Sequence, residues 1–315
     1  MSKSLLSLAA GLVLLLGNSV QAAPQTQERG QFSEMASSPL WFNQQLLLPQ
    51  QGQIQTWNPL NEQWLSFGVL ANCQPGAILS TPQKQLLVAC TQNPRILVLN
   101  SIGQTVETFP RPSEEDGLLR YVDDEDKEAN LKGVTAMVTD ARGGTYIAAT
   151  LSDEISLASR NKGRIYYLSP SRSLIKTMAT GLNYPAGLAL SPDGKSLFVS
   201  EGLTRQVKHF EVDRTRLLKP EIVMQVEQVH TAKDLAREIP RPGSLAINSK
   251  GHLYTALNGD GTILVTSLSG KKLAELPVPL PYINGFSFGT TDRTLFITAN
   301  DTAMAANSVL YEMRL

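Results

Sequence analysis

The chain has 315 residues, of which 42 % are hydrophobic and 18 % charged. Basic and acidic side chains balance at 28 each, which leaves no basic face for nucleic acid and no charged tail. A charged fraction below the usual quarter or so, with 23 glycines and 18 prolines, argues against a disordered or helical chain. It points to a turn-rich β protein long enough for one large domain.

Residues 1–22 read as a signal peptide. Lys3 supplies the positive start, and Leu5 to Leu16 form an apolar stretch too short for a membrane span. Val20-Gln21-Ala22 places small residues at a cleavage site, after Ala22 or Ala23. The expected mature chain, residues 23–315, is periplasmic or secreted and makes no membrane insertion. The Ala-Pro-Gln-Thr-Gln stretch that follows reads as polar and loose. Cys73 and Cys90 are the only cysteines. In an oxidising compartment they suggest a disulfide, against the alternative of two buried free thiols.

From residue 30 onward one unit recurs: an apolar strand, a tight polar turn, a second apolar strand and a third strand ending in another turn. It is seen in LWFNQQLLL with QIQTW and in GAILSTPQKQLLVACT with RILVLN. It returns in VTAMVTDARGGTYIAAT with GRIYYLSP and in AGLALSPDGKSLFVSE with RQVKHFEVD. The last two copies are GSLAINSKGHLYTAL with GTILVTSLSG, and NGFSFGTTDRTLFITA with SVLYEMRL. Period-2 apolar strands joined by short turns make antiparallel meanders. The turns fall near Gln45, Lys84, Gly143, Gly194, Gly251 and Arg293, a spacing of propeller blades. The expected fold is all-β: a six-bladed β-propeller of four-stranded antiparallel blades, in a single domain.

Three insertions interrupt the rhythm. Residues 111–132 carry Glu114, Glu115, Asp116, Asp123, Asp124, Glu125, Asp126 and Glu128, without the spacing or glycine of a calcium loop. Residues 151–162 carry Asp153 and Glu154, and residues 214–241 are expected to include a short helix near Thr231 to Arg237.

The segment NYPAGLALSPDGKSLFVSE resembles a core motif of the senescence marker protein/gluconolactonase family, with a similar segment in strictosidine-synthase-like propellers. SSPLWF is similar to that family's first blade, FSFGTTDRTLFITA to its last, and VLYEMRL to its closing strand. The resemblance implies a divalent cation at the top of a central channel, held by a Glu, two Asn and an Asp, which polarises a lactone carbonyl. Carried over residue by residue, these positions fall on Ser37, Thr135, Ala186 and Gly243. No carboxylate remains among them, so no family-type divalent cation or other cofactor is expected. The metal-free strictosidine-synthase-like branch uses a Glu in its last blades. Glu275, read as lying between blades five and six, and Glu312, in the closing strand, sit in no matching motif.

Other constellations are sparse. His209, His230 and His252 share no metal-ligand spacing, and the chain has no Gly-x-Ser-x-Gly elbow or phosphate-binding glycine loop. Glu201 follows the blade-four strand, where a bond to a neighbouring blade is expected. The mouth lined by Ser37, Thr135, Ala186, Gly243 and Asn284 is therefore expected to bind a small molecule or a protein partner, and no nucleic acid. The alternative is a divergent lactone or ester hydrolase with a relocated or metal-free active site, in which Thr135, Asn284 and the acidic insert supply replacements.

Overall fold

The computed structural model describes residues 24–91, 94–109, 120–121, 131–152, 154–213, 216–231, 239–303 and 305–315. The signal-peptide reading, the acidic cluster at 114–128, Asp153 and the helix expected through 232–237 lie outside them.

The first strand, β1 (Gln25–Phe32), precedes a regular series. Blade one holds β2 (Leu40–Phe42), β3 (Gln45–Gln50), β4 (Gln53–Asn58) and β5 (Gln63–Val69). Blade two holds β6 (Pro75–Ser80), β7 (Leu86–Cys90), β8 (Arg95–Leu99) and β9 (Thr105–Phe109). A short strand β10 (Arg120–Tyr121) leads to blade three, with β11 (Val134–Thr139), β12 (Thr145–Ala149), β13 (Gly163–Leu168) and β14 (Leu174–Leu182). Blade four holds β15 (Pro185–Leu190), β16 (Ser196–Glu201), β17 (Gln206–Asp213) and β18 (Arg216–Gln225). Blade five holds β19 (Arg241–Ile247), β20 (His252–Asn258), β21 (Thr262–Ser267) and β22 (Lys272–Pro277). Blade six holds β23 (Tyr282–Phe288), β24 (Thr294–Asn300) and β25 (Ser308–Arg314), and its fourth strand is β1.

The fold is the expected six-bladed propeller of antiparallel meanders, with β10 added parallel to β14 on the rim of blade three. The middle strands bury both faces and so read as unbroken apolar runs, LLVAC in β7 and ILVL in β8. Six apolar clusters fill the six junctions between neighbouring blades. Leu47 and Leu86 meet between blades one and two, Val199 and Ile165 between three and four, Phe296 and Leu46 between six and one. No sheet can bury both faces alone, so the blades stabilise each other around the axis. At the inner turns Lys84, Gly143, Gly194 and Gly251 take positive φ of 58°, 90°, 71° and 74°. Glycine does so without steric cost.

Three local readings are corrected. Gln25-Thr26-Gln27, taken as loose chain, open β1, which pairs antiparallel with β25. Its sequence QTQERGQF carries no apolar alternation, so its strand character comes from the partner it closes onto. Within the third insertion Arg216–Gln225 form β18, the outer strand of blade four, and Val226–Val229 form a helical turn, while the helix expected near Thr231 to Arg237 falls almost wholly outside the described residues. Glu275 lies within β22, in blade five, and not in the connection that follows it.

The expected disulfide is formed: Cys73 and Cys90 are bonded, with Cα atoms 5.0 Å apart. The bond fastens the segment leading into β6 to the end of β7.

Candidate functional site at the channel mouth

Each blade begins with its innermost strand. Those strands, β2, β6, β11, β15, β19 and β23, contact one another in sequence and line the channel. In five of them the pairing with the next strand slips by one residue near the start: between Pro75 and Ala77, Val134 and Ala136, Pro185 and Gly187, Pro242 and Leu245, and Ile283 and Gly285. Such a bulge re-aims a side chain and is common at barrel rims and active sites. The residues set out by these bulges include Thr135, Ala186, Gly243 and Asn284, four of the five positions named from sequence. In blade one Ser37 lies just ahead of β2, its N–H donating to Pro49 O at 3.1 Å. Gly76 is the sixth member. The sequence signalled it through the parallel between QPGAILS and YPAGLAL, but the reading missed it.

The rim is knitted sideways. Thr135 Oγ1 donates to Pro185 O at 2.7 Å and Ser200 Oγ to Gly243 O at 2.6 Å. Thr298 Oγ1 donates to Ser37 O at 3.0 Å. A Cβ on Gly187 would lie 2.3 Å from Gly243 O, so glycine is required for this close approach. The Thr135 hydroxyl proton is thereby committed to the scaffold.

Three polar groups remain uncommitted. Ser37 Oγ is buried without a hydrogen-bond partner among the described residues. Asn284 Nδ2 donates to Ala36 O at 3.0 Å and Ser308 Oγ at 3.2 Å and lies 2.9 Å from the Asn300 amide. Its carbonyl oxygen has no such bond among the described residues. Asn258, at the end of β20, accepts from Ile283 N–H at 2.9 Å through Oδ1, which leaves Nδ2 without a described partner. That nitrogen lies 2.8 Å from the point that a Cβ on Gly243 would occupy. Nothing in the local sequence singles out Asn258; its place follows from the bulge in the strand beside it.

Charge near the rim is held in fixed networks. Glu201, paired opposite Pro185, is 0 % exposed. It accepts from Asn183 N at 2.9 Å, Thr204 Oγ1 at 2.8 Å, Gln206 Nε2 at 2.6 Å and Lys208 Nζ at 3.0 Å. Burial opposes its ionisation, but these donors prevail and hold its pKa below the ordinary glutamate value. The donors belong to blade four and the segment leading into it, not to a neighbouring blade as expected. His230 sits between two carboxylates, Nδ1 2.8 Å from Glu275 Oε1 and Nε2 3.1 Å from Asp260 Oδ2, a grouping the sequence did not reveal. The carboxylates lie at opposite ring nitrogens and so do not converge. Among the described residues no three His, Cys, Asp or Glu side chains are placed to hold a metal ion. His209 bonds Ser196 Oγ at 2.9 Å, and Glu312 is paired with Arg29 and Arg314.

Comparison with known proteins adds descent to this geometry. Residues 35–301 match the family described as SMP-30/Gluconolactonase/LRE-like region. The chain is 26 % identical over 143 residues to lactonase drp35 of Staphylococcus haemolyticus, covering 45 % of this chain and 41 % of that protein. It is 23 % identical over 245 residues to lactonase drp35 of Staphylococcus saprophyticus, covering 73 % and 72 %. The first curated relatives are matched over only about half their length, 41 % and 53 %. Among solved structures, a luciferin-regenerating enzyme superposes with a TM-score of 0.71 at 15 % identity, over 93 % of this chain and 96 % of that one. A gluconolactonase of Xanthomonas campestris gives 0.69 at 17 % identity, over 93 % and 90 %. At such identities these two likenesses bear on fold, and the six-bladed architecture agrees with them. With the family pattern running over most of the propeller, the chain belongs to the SMP-30/gluconolactonase/LRE-like family.

Proposed function

We propose that the channel mouth binds a neutral, oxygen-rich small molecule of the cyclic-ester class, and that it does so without a divalent cation. The observation carrying this reading is the pairing of Gly243 with Asn258. Where the family resemblance places a carboxylate, this chain has no side chain, and an amide N–H₂ donor lies beside the vacated point. Amide protons repel a cation and suit a carbonyl oxygen. The rest of the set agrees: Ser37 offers a hydroxyl, Thr135 only the lone pairs of one whose proton is committed to Pro185 O, Asn284 an amide oxygen, and Ala186 nothing. A hard dication needs converging charged oxygens to offset its dehydration, and this set does not fit one. A lactone presents carbonyl and ring oxygens as acceptors and, on a sugar, hydroxyls as donors. Asn258 Nδ2 and Ser37 Oγ complement the former, and Asn284 Oδ1 the latter.

Turnover of the bound lactone is the second reading, and the lactonase name carried by the curated relatives favours it. In that case Asn258 would serve as a neutral oxyanion donor. Export is proposed alongside: a disulfide fits an oxidising compartment, and N-terminal sequencing of the isolated protein should begin at Ala23 or Pro24.

The test is calorimetry with a panel of sugar lactones, run with chelator and with added calcium, zinc or manganese. Binding should be unchanged by chelation, and Asn258→Ala should weaken it about tenfold, the value of one hydrogen bond of about 1.4 kcal/mol. Stoichiometric metal in the purified protein, or lactone binding abolished by chelator, would sink the metal-free reading. Steady hydrolysis under chelation would select the second reading over simple binding.

A further inference from the structure

A second cleft lies at the opposite end of the propeller from the channel mouth. The inner strands run away from the mouth, and residues 289–291, in the turn that follows β23, form one of its walls. The cleft holds about 240 Å³ and opens where β1, blade one and blade six meet. Its apolar side is aromatic. Trp41 stacks flat on Phe296, with centroids 5.4 Å apart and planes 1° from parallel, and Trp57 meets the same ring at 68°. Trp57 and Phe296 are 3 % and 4 % exposed, so half-buried Trp41 is the ring with surface left to offer.

Charge enters from the two strands that close the propeller. Glu312, on β25, accepts from Arg29 Nε at 2.8 Å through Oε2 and from Arg314 Nε at 3.1 Å through Oε1, so both its oxygens are occupied. Arg29 is committed to that carboxylate and to the face of Trp57. It also meets Glu62, which is 69 % exposed and does not line the cleft. Arg314 differs. Its side chain is 67 % exposed, and its two terminal nitrogens bond to nothing among the described residues. Within the lining, two guanidinium groups face one carboxylate, which leaves one positive charge unmatched. A guanidinium held at Nε presents a flat fork suited to a planar, bidentate anion. An aromatic wall beside it rewards a flat apolar body. A neutral sugar would leave the surplus charge unanswered, and a bare phosphate would make no use of the ring.

We propose that this cleft binds a small, flat organic carboxylate, with its apolar body against Trp41 and its carboxylate on the terminal nitrogens of Arg314. The site is separate from the channel mouth and does not depend on what the mouth binds. It exists only in the closed propeller, because Arg29 reaches it from one end of the chain and Arg314 from the other.

The test is a fluorine NMR titration of the purified full chain with para-fluorobenzoate, beside the uncharged para-fluorobenzamide. Saturable binding of the carboxylate is expected in roughly the millimolar range, as befits so small a ligand. The amide should bind about tenfold more weakly, the difference made by a charge-assisted contact. Arg314→Gln should weaken the carboxylate by about the same factor at unchanged melting temperature, since Glu312 keeps Arg29 as its partner. Arg293→Gln, which removes an exposed arginine outside the lining, should not. Nuclear Overhauser contacts should connect the bound ring to the indole protons of Trp41. A carboxylate that fails to saturate would overturn the proposal. So would equal binding of the amide, indifference to Arg314→Gln, or contacts to other parts of the molecule in place of Trp41.

Discussion

Glu201 shows how a single side chain can be both fully enclosed and ionised. Its four donors replace water one for one, and only Lys208 carries charge. Removing that charge by Lys208→Met leaves a buried anion with neutral partners, and a loss of about 3 kcal/mol is expected in denaturant unfolding. The folded pKa lies below the ordinary value of 4.5. The ion's contribution is therefore full above the unfolded pKa, near 4.5, and fades as pH falls through the lower folded value. Melting temperature followed from neutral to acid pH should drop less steeply below that point in Glu201→Gln than in the parent, since the variant has no proton to take up there. At this scale the sequence was partly legible. Four of the five bulge positions, Thr135, Ala186, Gly243 and Asn284, could be named from sequence through the family resemblance, and Gly76 was missed. Asn258 and the His230–Asp260–Glu275 grouping could not, because strand register and a long excursion of chain decide who their neighbours are.

Among the elements, blade four was the most readable: the tight SPDG turn between two short apolar segments leads directly to the pairing of β15 with β16. β18 was hidden by its composition, since RLLKPEIVMQ mixes charge, a proline and apolar residues, and two register shifts against β17 let it twist along the edge. The disulfide acts at this scale too. It closes a loop of 17 residues between the approach to β6 and the end of β7, both on the mouth side of blade two. Loop-closure entropy gives such a bond roughly 3 kcal/mol. The double variant Cys73→Ala/Cys90→Ala should unfold at correspondingly lower denaturant with an unchanged slope. A larger change in slope would mean that the bond also shapes the unfolded chain.

For the molecule as a whole, the ring is closed by one antiparallel pair drawn from opposite ends of the chain. β1 aligns with β25 from Gln25 opposite Arg314 to Phe32 opposite Ser308. The joint is reinforced by Arg29, whose guanidinium bridges to Glu312 at 2.6 Å and lies 5.5 Å from the Trp57 ring centre. Every junction between blades depends on both neighbours, so an open ring leaves the apolar faces of blades six and one less covered. A chain beginning after Phe32 should lose its sharp thermal transition and expose apolar surface to a dye such as ANS. The six-fold repeat made the architecture visible in the sequence, whereas the closing strand has no apolar pattern and becomes identifiable only once its partner is in place.

The recurring slip of one residue at the start of the inner strands has an evolutionary reading. Backbone register, not side-chain identity, brings five of the six positions to the rim, while packing between the blades is secured elsewhere. Selection can therefore rewrite what the opening recognises, letter by letter, with little effect on whether the protein folds. One framework can in this way carry openings of quite different chemistry.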